Sequence, residues 1–149
     1  MILFLDFDGV LHPAVNYDAT QLLTKLPLLE AILRQHPSVE IVVSSTWRET
    51  RTLSELRALF SPDIASRVIG VTPAWRDIQD EASYGAYVRQ AEIEAWLKST
   101  GRIWEQWLAV DDQAHLFKPF CKNLFVTNAA TGLTASDCEV LVQRLSAAG

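Results

Sequence analysis

The chain has 149 residues, 49% hydrophobic and 21% charged, the composition of a soluble globular protein forming one domain over 1–149. No apolar stretch reaches the length of a membrane span, and the N-terminal apolar run lacks a basic flank and breaks at Asp6, unlike a signal peptide. Acids outnumber bases 18 to 13 for a formal charge of −5, so the broad basic footprint of an unaided nucleic-acid binder is missing, although Arg48 and Arg51 make a small local cluster.

Met1-Ile2-Leu3-Phe4-Leu5 is wholly apolar, as a central parallel strand should be, and predicts a strand over 2–6. Pro27 suits the first position of a helix with Leu28, Leu29, Ile32 and Leu33 as its apolar face, and Pro37 ends it. A second strand is expected over 39–44. Thr52-Leu53-Ser54-Glu55 has the form of a capping box, with Leu53, Leu56, Leu59 and Phe60 at helical spacing behind it. Residues 68–71 read as a third strand. Residues 72–85 have no period and read as a loop, long enough to be functional as a partial lid.

A helix follows over 86–100, with Val88, Ile93, Trp96 and Leu97 inward and Gly101 as its stop. Strands are expected over 107–110 and 124–126, and Thr134 to Asp137 cap a last helix reaching about 147. Trp75, Trp96, Trp104 and Trp107 read as core or surface packing. Cys121 and Cys138 match no metal or redox spacing, so they read as buried structural thiols in a reducing compartment, which places the chain in the cytoplasm. Strands alternating with helices predict an α/β fold, a parallel sheet of about five strands covered on both faces.

Asp6-Phe7-Asp8-Gly9-Val10 follows directly on the first strand. Carboxylates on the lip of an apolar strand cost desolvation unless a cation or hydrogen bonds compensate them. The carboxyl end of a parallel strand is also where such sheets bind ligands. The first acid can attack phosphorus, the second can move a proton, and both can help to hold Mg²⁺. Asp and Gly are ordinary turn residues too, so the downstream motifs must decide between chemistry and a solvated turn.

Those motifs come in a telling order. Ile41-Val42-Val43 ends in Ser44-Ser45-Thr46, Arg89 stands near the start of a helix, and Trp107-Leu108-Ala109-Val110 ends in Asp111-Asp112. A hydroxyl at Ser44, or at Ser45 since the register is open by one residue, could hold a phosphate oxygen or merely cap the strand end. Arg89 would neutralise phosphate, with a fork well suited to it; Lys98 is a rival that lies late in the helix. Adjacent acids point opposite ways on an extended chain, so one of Asp111 and Asp112 should take the metal and the other bind through water or cap the turn. No His/Cys cluster points to zinc.

Strand-acid, strand-hydroxyl, helix-base, strand-acid resembles the four-motif arrangement of the haloacid dehalogenase (HAD) superfamily of phosphohydrolases. More narrowly, Asp6-Phe7-Asp8-Gly9-Val10-Leu11-His12, Ser44-Ser45-Thr46-Trp47-Arg48 and Glu92-Ile93-Glu94-Ala95-Trp96-Leu97 resemble a small HAD group, some members of which are fused to RNA-repair enzymes. The resemblance implies a doubly wound, Rossmann-like sheet and an aspartyl-phosphate on Asp6. It gives Asp8 the roles of general acid and base, with its backbone carbonyl toward the metal, and favours Asp112 as the direct Mg²⁺ ligand. In the superfamily Lys is commoner at the position of Arg89. Gly9, His12, Ser45, Trp47 and Arg48 are the candidate substrate contacts, with the Trp47 ring as a platform for a base; Thr127 and Asn128 only shape the rim.

The gaps from Asp8 to Ser44 and from Thr46 to Arg89 are too short for a full cap domain, so an open site is expected. Open members act on the phosphorylated ends or side chains of macromolecules. The expected function is a Mg²⁺-dependent phosphomonoesterase acting on nucleotides or phosphorylated nucleic-acid ends. The alternative is a catalytically silent HAD module that binds phosphorylated partners. Oligomeric state and any partner enzyme leave no mark in the sequence.

Overall fold

The computed structural model describes residues 1–15, 18–78 and 87–148. Five strands, β1 (Ile2–Leu5), β2 (Glu40–Val43), β3 (Val68–Val71), β4 (Trp107–Asp111) and β5 (Leu124–Val126), form one parallel sheet. Their order is β3-β2-β1-β4-β5. The chain winds outward from β1 to β3, then returns to the other side of β1 with β4, so the topological switch lies between β1 and β4. Ligands bind at such a switch, outside the carboxyl ends of the strands.

The unbroken apolar run of β1 is explained by cover on both faces. Leu3 and Leu5 join Ile41, Val43, Leu108 and Val110 in one core layer. That layer packs on α1 (Leu26–Gln35), α2 (Leu53–Arg57), α3 (Pro62–Ala65) and α5 (Ala135–Ala148), through Leu29, Leu33, Leu56, Ile64, Leu141 and Leu145 among others. Ile2, Phe4, Val42 and Ala109 face the other way, against Ile93, Trp96 and Leu97 of α4 (Val88–Ser99). Phe4 meets Trp96 and Trp107 edge-on, at ring separations of 5.6 and 5.7 Å. Each such pair contributes about 0.5–1.5 kcal/mol beyond its buried area. The predicted Rossmann-like α/β sheet is therefore present, with helices on both faces.

Several local expectations need correcting. Leu28 is 38% exposed, so α1 turns Leu26, Leu29, Ile32 and Leu33 inward instead. The capping box of Thr52 and Glu55 forms, but α2 ends at Arg57. The unanticipated α3 then opens on Pro62, with the buried Glu30 carboxylate accepting from the Ser61 N–H at 2.7 Å and its hydroxyl at 2.8 Å. The described part of the expected 72–85 loop holds a 3-10 turn at Trp75–Asp77. Half of the segment expected to act as a lid, 79–85, lies outside the described residues, as does residue 86 of the expected helix. Cys121 and Cys138 are half-buried free thiols rather than buried ones. Trp104 is exposed. No helix among the described residues is long and apolar enough to cross a membrane.

Candidate active site at the carboxyl edge of the sheet

Asp6 is the first residue beyond β1, Ser44 the first beyond β2, and Asp111 the last of β4. Parallel pairing of β1 with both neighbours, Leu5 opposite Val43 and Val110, brings these strand ends to one level. One carboxylate oxygen from each of Asp6, Asp111 and Asp112 lies within 4.8 Å of the others. Adjacent acids thus converge, against the expectation for an extended chain. The strand ends at Asp111, and the turn beyond it swings Asp112 back toward the same point.

Asp111 takes the turn-capping job expected of one of the pair. Its Oδ1 accepts from the Gln113 N–H at 2.9 Å, while its Oδ2, like Oδ1 of Asp112, is buried without a hydrogen-bond partner among the described residues. Gly9 makes room for this arrangement. Its φ is +77°, and a β-carbon there would lie 2.2 Å from Asp112 Oδ2. The Thr127 hydroxyl donates to the Gly9 carbonyl at 2.6 Å and so ties the end of β5 to the turn.

Arg89 enters from the first turn of α4 and is buried. Its Nη1 lies 3.9 Å from Asp6 Oδ1 and its Nε 3.5 Å from Asp111 Oδ2. Neither nitrogen has a hydrogen-bond partner among the described residues. Burial raises the Asp6 pKa to about 8, with Asp111 adding repulsion and Arg89 opposing it. Burial likewise raises Asp111 to about 6, again opposed by Arg89. Lys98, the rival base, is exposed in the last turn of the same helix.

Three converging acids, two of which (Asp111 and Asp112) have a buried oxygen with no hydrogen-bond partner among the described residues, beside a glycine whose missing side chain leaves space for one of them, fit a hard divalent cation such as Mg²⁺. The arginine Nε and Nη1, with no hydrogen-bond partner among the described residues, fit an anion beside it. Asp8 is outside the acid cluster. Its Oδ1 lies 2.7 Å from His12 Nε2, and the Trp47 Nε1–H is 3.2 Å from both of its oxygens.

The other predicted contacts divide by their existing partners. Ser45 is buried and caps the 3-10 turn Thr46–Glu49, its hydroxyl accepting from the Trp47 N–H at 3.2 Å. Ser44 is buried at the strand end, and among the described residues it enters hydrogen bonds only through its backbone. His12 is fully buried, so it is packed rather than presented. One face of the Trp47 ring is covered by the Arg51 guanidinium, 4.1 Å from the ring centre.

Arg48 departs furthest from its expected role. Its guanidinium bonds the carbonyls of Thr72, Ser44, Ser45 and Pro73 and the Glu92 carboxylate, the last at 2.6 Å. An arginine has five N–H donors, so none remains for a substrate. Glu92 also takes the Trp75 N–H at 2.7 Å and lies 3.9 Å from Arg89 Nε. Sequence reasoning missed this role, although the three-residue spacing from Arg89 already put Glu92 on the same helix face. A cleft of about 350 Å³ opens beside Arg89, lined by Thr46, Trp75, Arg76, Val88 and Gln113 among others.

A parallel sheet of this order, with an acid beyond its first strand, a hydroxyl beyond its second, a base on a following helix and acids closing its fourth, defines a HAD-like domain. HAD domains generally carry phosphohydrolase chemistry and typically use Mg²⁺. The model of the family described as the HAD domain in Swiss Army Knife RNA repair proteins matches residues 2–138, and the chain belongs to that family. No curated protein and no solved structure matches it.

Proposed function

We propose that this domain is a Mg²⁺-dependent phosphomonoester hydrolase that works through an aspartyl-phosphate on Asp6. The observation that carries this reading is the Asp6 carboxylate beside a buried Arg89 whose Nε and Nη1 have no hydrogen-bond partner among the described residues. In-line phosphoryl transfer needs a nucleophile, a cation against the phosphate charge, and donors for the equatorial oxygens. Asp6 attacks phosphorus, and the bond from phosphorus to the leaving oxygen breaks as the Asp8 carboxyl gives that oxygen its proton. Water then attacks the aspartyl-phosphate while the Asp8 carboxylate takes its proton. The bond from phosphorus to Asp6 breaks, and inorganic phosphate leaves.

Arg89 and the Ser44 hydroxyl hold the non-bridging oxygens. A Mg²⁺ ion held by Asp6, Asp111 and Asp112 would supply charge neutralisation at the same oxygens. Among the described residues, neither the link from β1 to β2 nor that from β2 to β3 builds a cap over this edge. An open edge and the RNA-repair family favour nucleotides or phosphorylated nucleic-acid ends as substrates.

The test is phosphate release from p-nitrophenyl phosphate with Mg²⁺, beside Asp6→Asn and an EDTA control. Turnover lost in both controls is the expected result, with a fall of at least about a thousandfold for the substitution. Absence of turnover on this ester and on nucleotides and phosphorylated oligonucleotides, with no rise in melting temperature from Mg²⁺ and beryllofluoride, would overturn the reading in favour of a non-catalytic module.

A further inference from the structure

The turn after β1 returns the chain on itself. Gly9 takes a left-handed conformation, its N–H donates to the His12 carbonyl at 2.9 Å, and the Val10 and Leu11 N–H groups donate to the Phe7 carbonyl. A side chain four residues on is thereby returned to Asp8, and His12 Nε2 sits 2.7 Å from its Oδ1. The other ring nitrogen, Nδ1, accepts the Leu23 N–H at 3.3 Å. With Nδ1 an acceptor, the ring proton is on Nε2 and aimed at Asp8. Leu23 makes this bond from a left-handed backbone with φ +58°. That conformation costs roughly 1–2 kcal/mol for a residue with a β-carbon, so its surroundings must hold it there.

The second donor comes from a different element. Trp47 belongs to the turn beyond β2, and its Nε1–H reaches both Asp8 oxygens at 3.2 Å. Its ring is itself clamped, edge-on to Phe7 at 5.2 Å and beneath Arg51. Asp8 remains 37% exposed at the side chain while its His12 partner is fully buried. Oδ1 carries the short His12 contact in addition to its share of Trp47, which leaves Oδ2 the less encumbered oxygen.

We propose that His12 and Trp47 are positioning residues that fix the Asp8 carboxyl for proton delivery from Oδ2, and that they adapt the site to phosphate esters of sugar hydroxyls. The inference rests on the assignment of Asp8 as proton donor. When the bond from phosphorus to the ester oxygen breaks, the electron pair goes to that oxygen and the Asp8 proton follows it. A sugar alkoxide is a poor leaving group and needs that proton as it departs. A p-nitrophenolate leaves as an anion and does not. A carboxyl held by two fixed N–H donors suits the first kind of substrate, and its geometry is of little consequence for the second.

The experiment compares kcat/KM, which reports the first transfer, for an alkyl ester (glycerol 2-phosphate or a nucleoside monophosphate) and for p-nitrophenyl phosphate. Trp47→Phe removes one N–H and keeps the ring; His12→Phe removes the other, and His12→Gln restores an N–H near Nε2. General acid catalysis contributes about 10²–10⁴-fold. We therefore expect Trp47→Phe and His12→Phe to lower the alkyl-to-aryl ratio of kcat/KM at least about tenfold, and His12→Gln to recover part of it. A ratio unchanged in Trp47→Phe, with both esters slowed alike, would overturn the positioning role while leaving the phosphatase reading intact. Lack of any Asp6-dependent turnover in the unsubstituted protein would overturn both. Melting temperatures identify a variant that fails only by unfolding, and the Trp47→Phe ratio then decides alone.

Discussion

Asp6 carries a conflict between folding and charge. Burial and the nearby Asp111 carboxylate raise its pKa from 3.8 to about 8. Between those values the folded state binds more protons than the unfolded one, so stability falls as pH rises through this window. In buffer free of divalent cations the melting temperature should therefore fall from about pH 5 to about pH 8, with Asp111 adding to the fall through its own raised value near 6. Added Mg²⁺ should recover the loss, since ligands that bind only the folded state stabilise it. Differential scanning fluorimetry across pH checks this, and a flat profile would contradict the raised values of these buried, clustered acids. Asp6→Asn should raise cation-free stability near pH 8 by about 1–2 kcal/mol, or several degrees, while it abolishes turnover.

At the scale of elements, the site depends on how strand ends are tied to α4. Arg48 joins the end of β2 to the carbonyls of Thr72 and Pro73 beyond β3, and to Glu92 of α4. Arg48→Lys keeps the charge but loses the fork, leaving carbonyls and the buried Glu92 carboxylate short of donors. Breaking a buried pair in this way costs about 3–5 kcal/mol when a partner is removed outright. The lysine should lose about 2–4 kcal/mol, read as a lower urea midpoint at unchanged slope.

The turn after β1 is equally demanding. Gly9→Ala must accommodate both a left-handed φ and a β-carbon 2.2 Å from Asp112 Oδ2. It should displace Asp112, weakening Mg²⁺ dependence of turnover at least about tenfold as ligand-shell changes do. Isothermal titration with Mg²⁺ reads the same effect directly.

Across the whole molecule, a net charge of −5 limits how the proposed substrate, a nucleic-acid end, would be held. Near the site, Arg76 already pairs with Glu49 at 2.6 Å and Arg51 lies over Trp47. Recognition should then depend on the reacting phosphate and very few others. For Asp6→Asn binding a phosphorylated oligonucleotide, the slope of log affinity against log salt should be shallower than about 2, given roughly 0.7 per phosphate contact on a single strand. Anisotropy titrations at several salt concentrations measure it; a slope near 5 would reveal a basic surface elsewhere.

The sequence alone determined where the candidate site sits. Apolar runs of strand length, each ending in an acid or a hydroxyl, predict both the parallel sheet and the edge that carries Asp6, Ser44 and Asp111, because strand burial and strand termination are local properties. The α4 boundary and face were less legible. Arg89, Gln90 and Glu92 lie on its buried side, so its apolar period is faint. Tertiary structure alone decided which polar groups face one another. Arg48 is drawn into five structural bonds, Trp47 and His12 close on Asp8, and Asp112 swings beside Asp111 into the space that Gly9 leaves. Those partners come from different strand ends, brought together by sheet register and by turns after the strands. Side-chain direction beyond a turn follows the path of the chain rather than any periodicity in its residues.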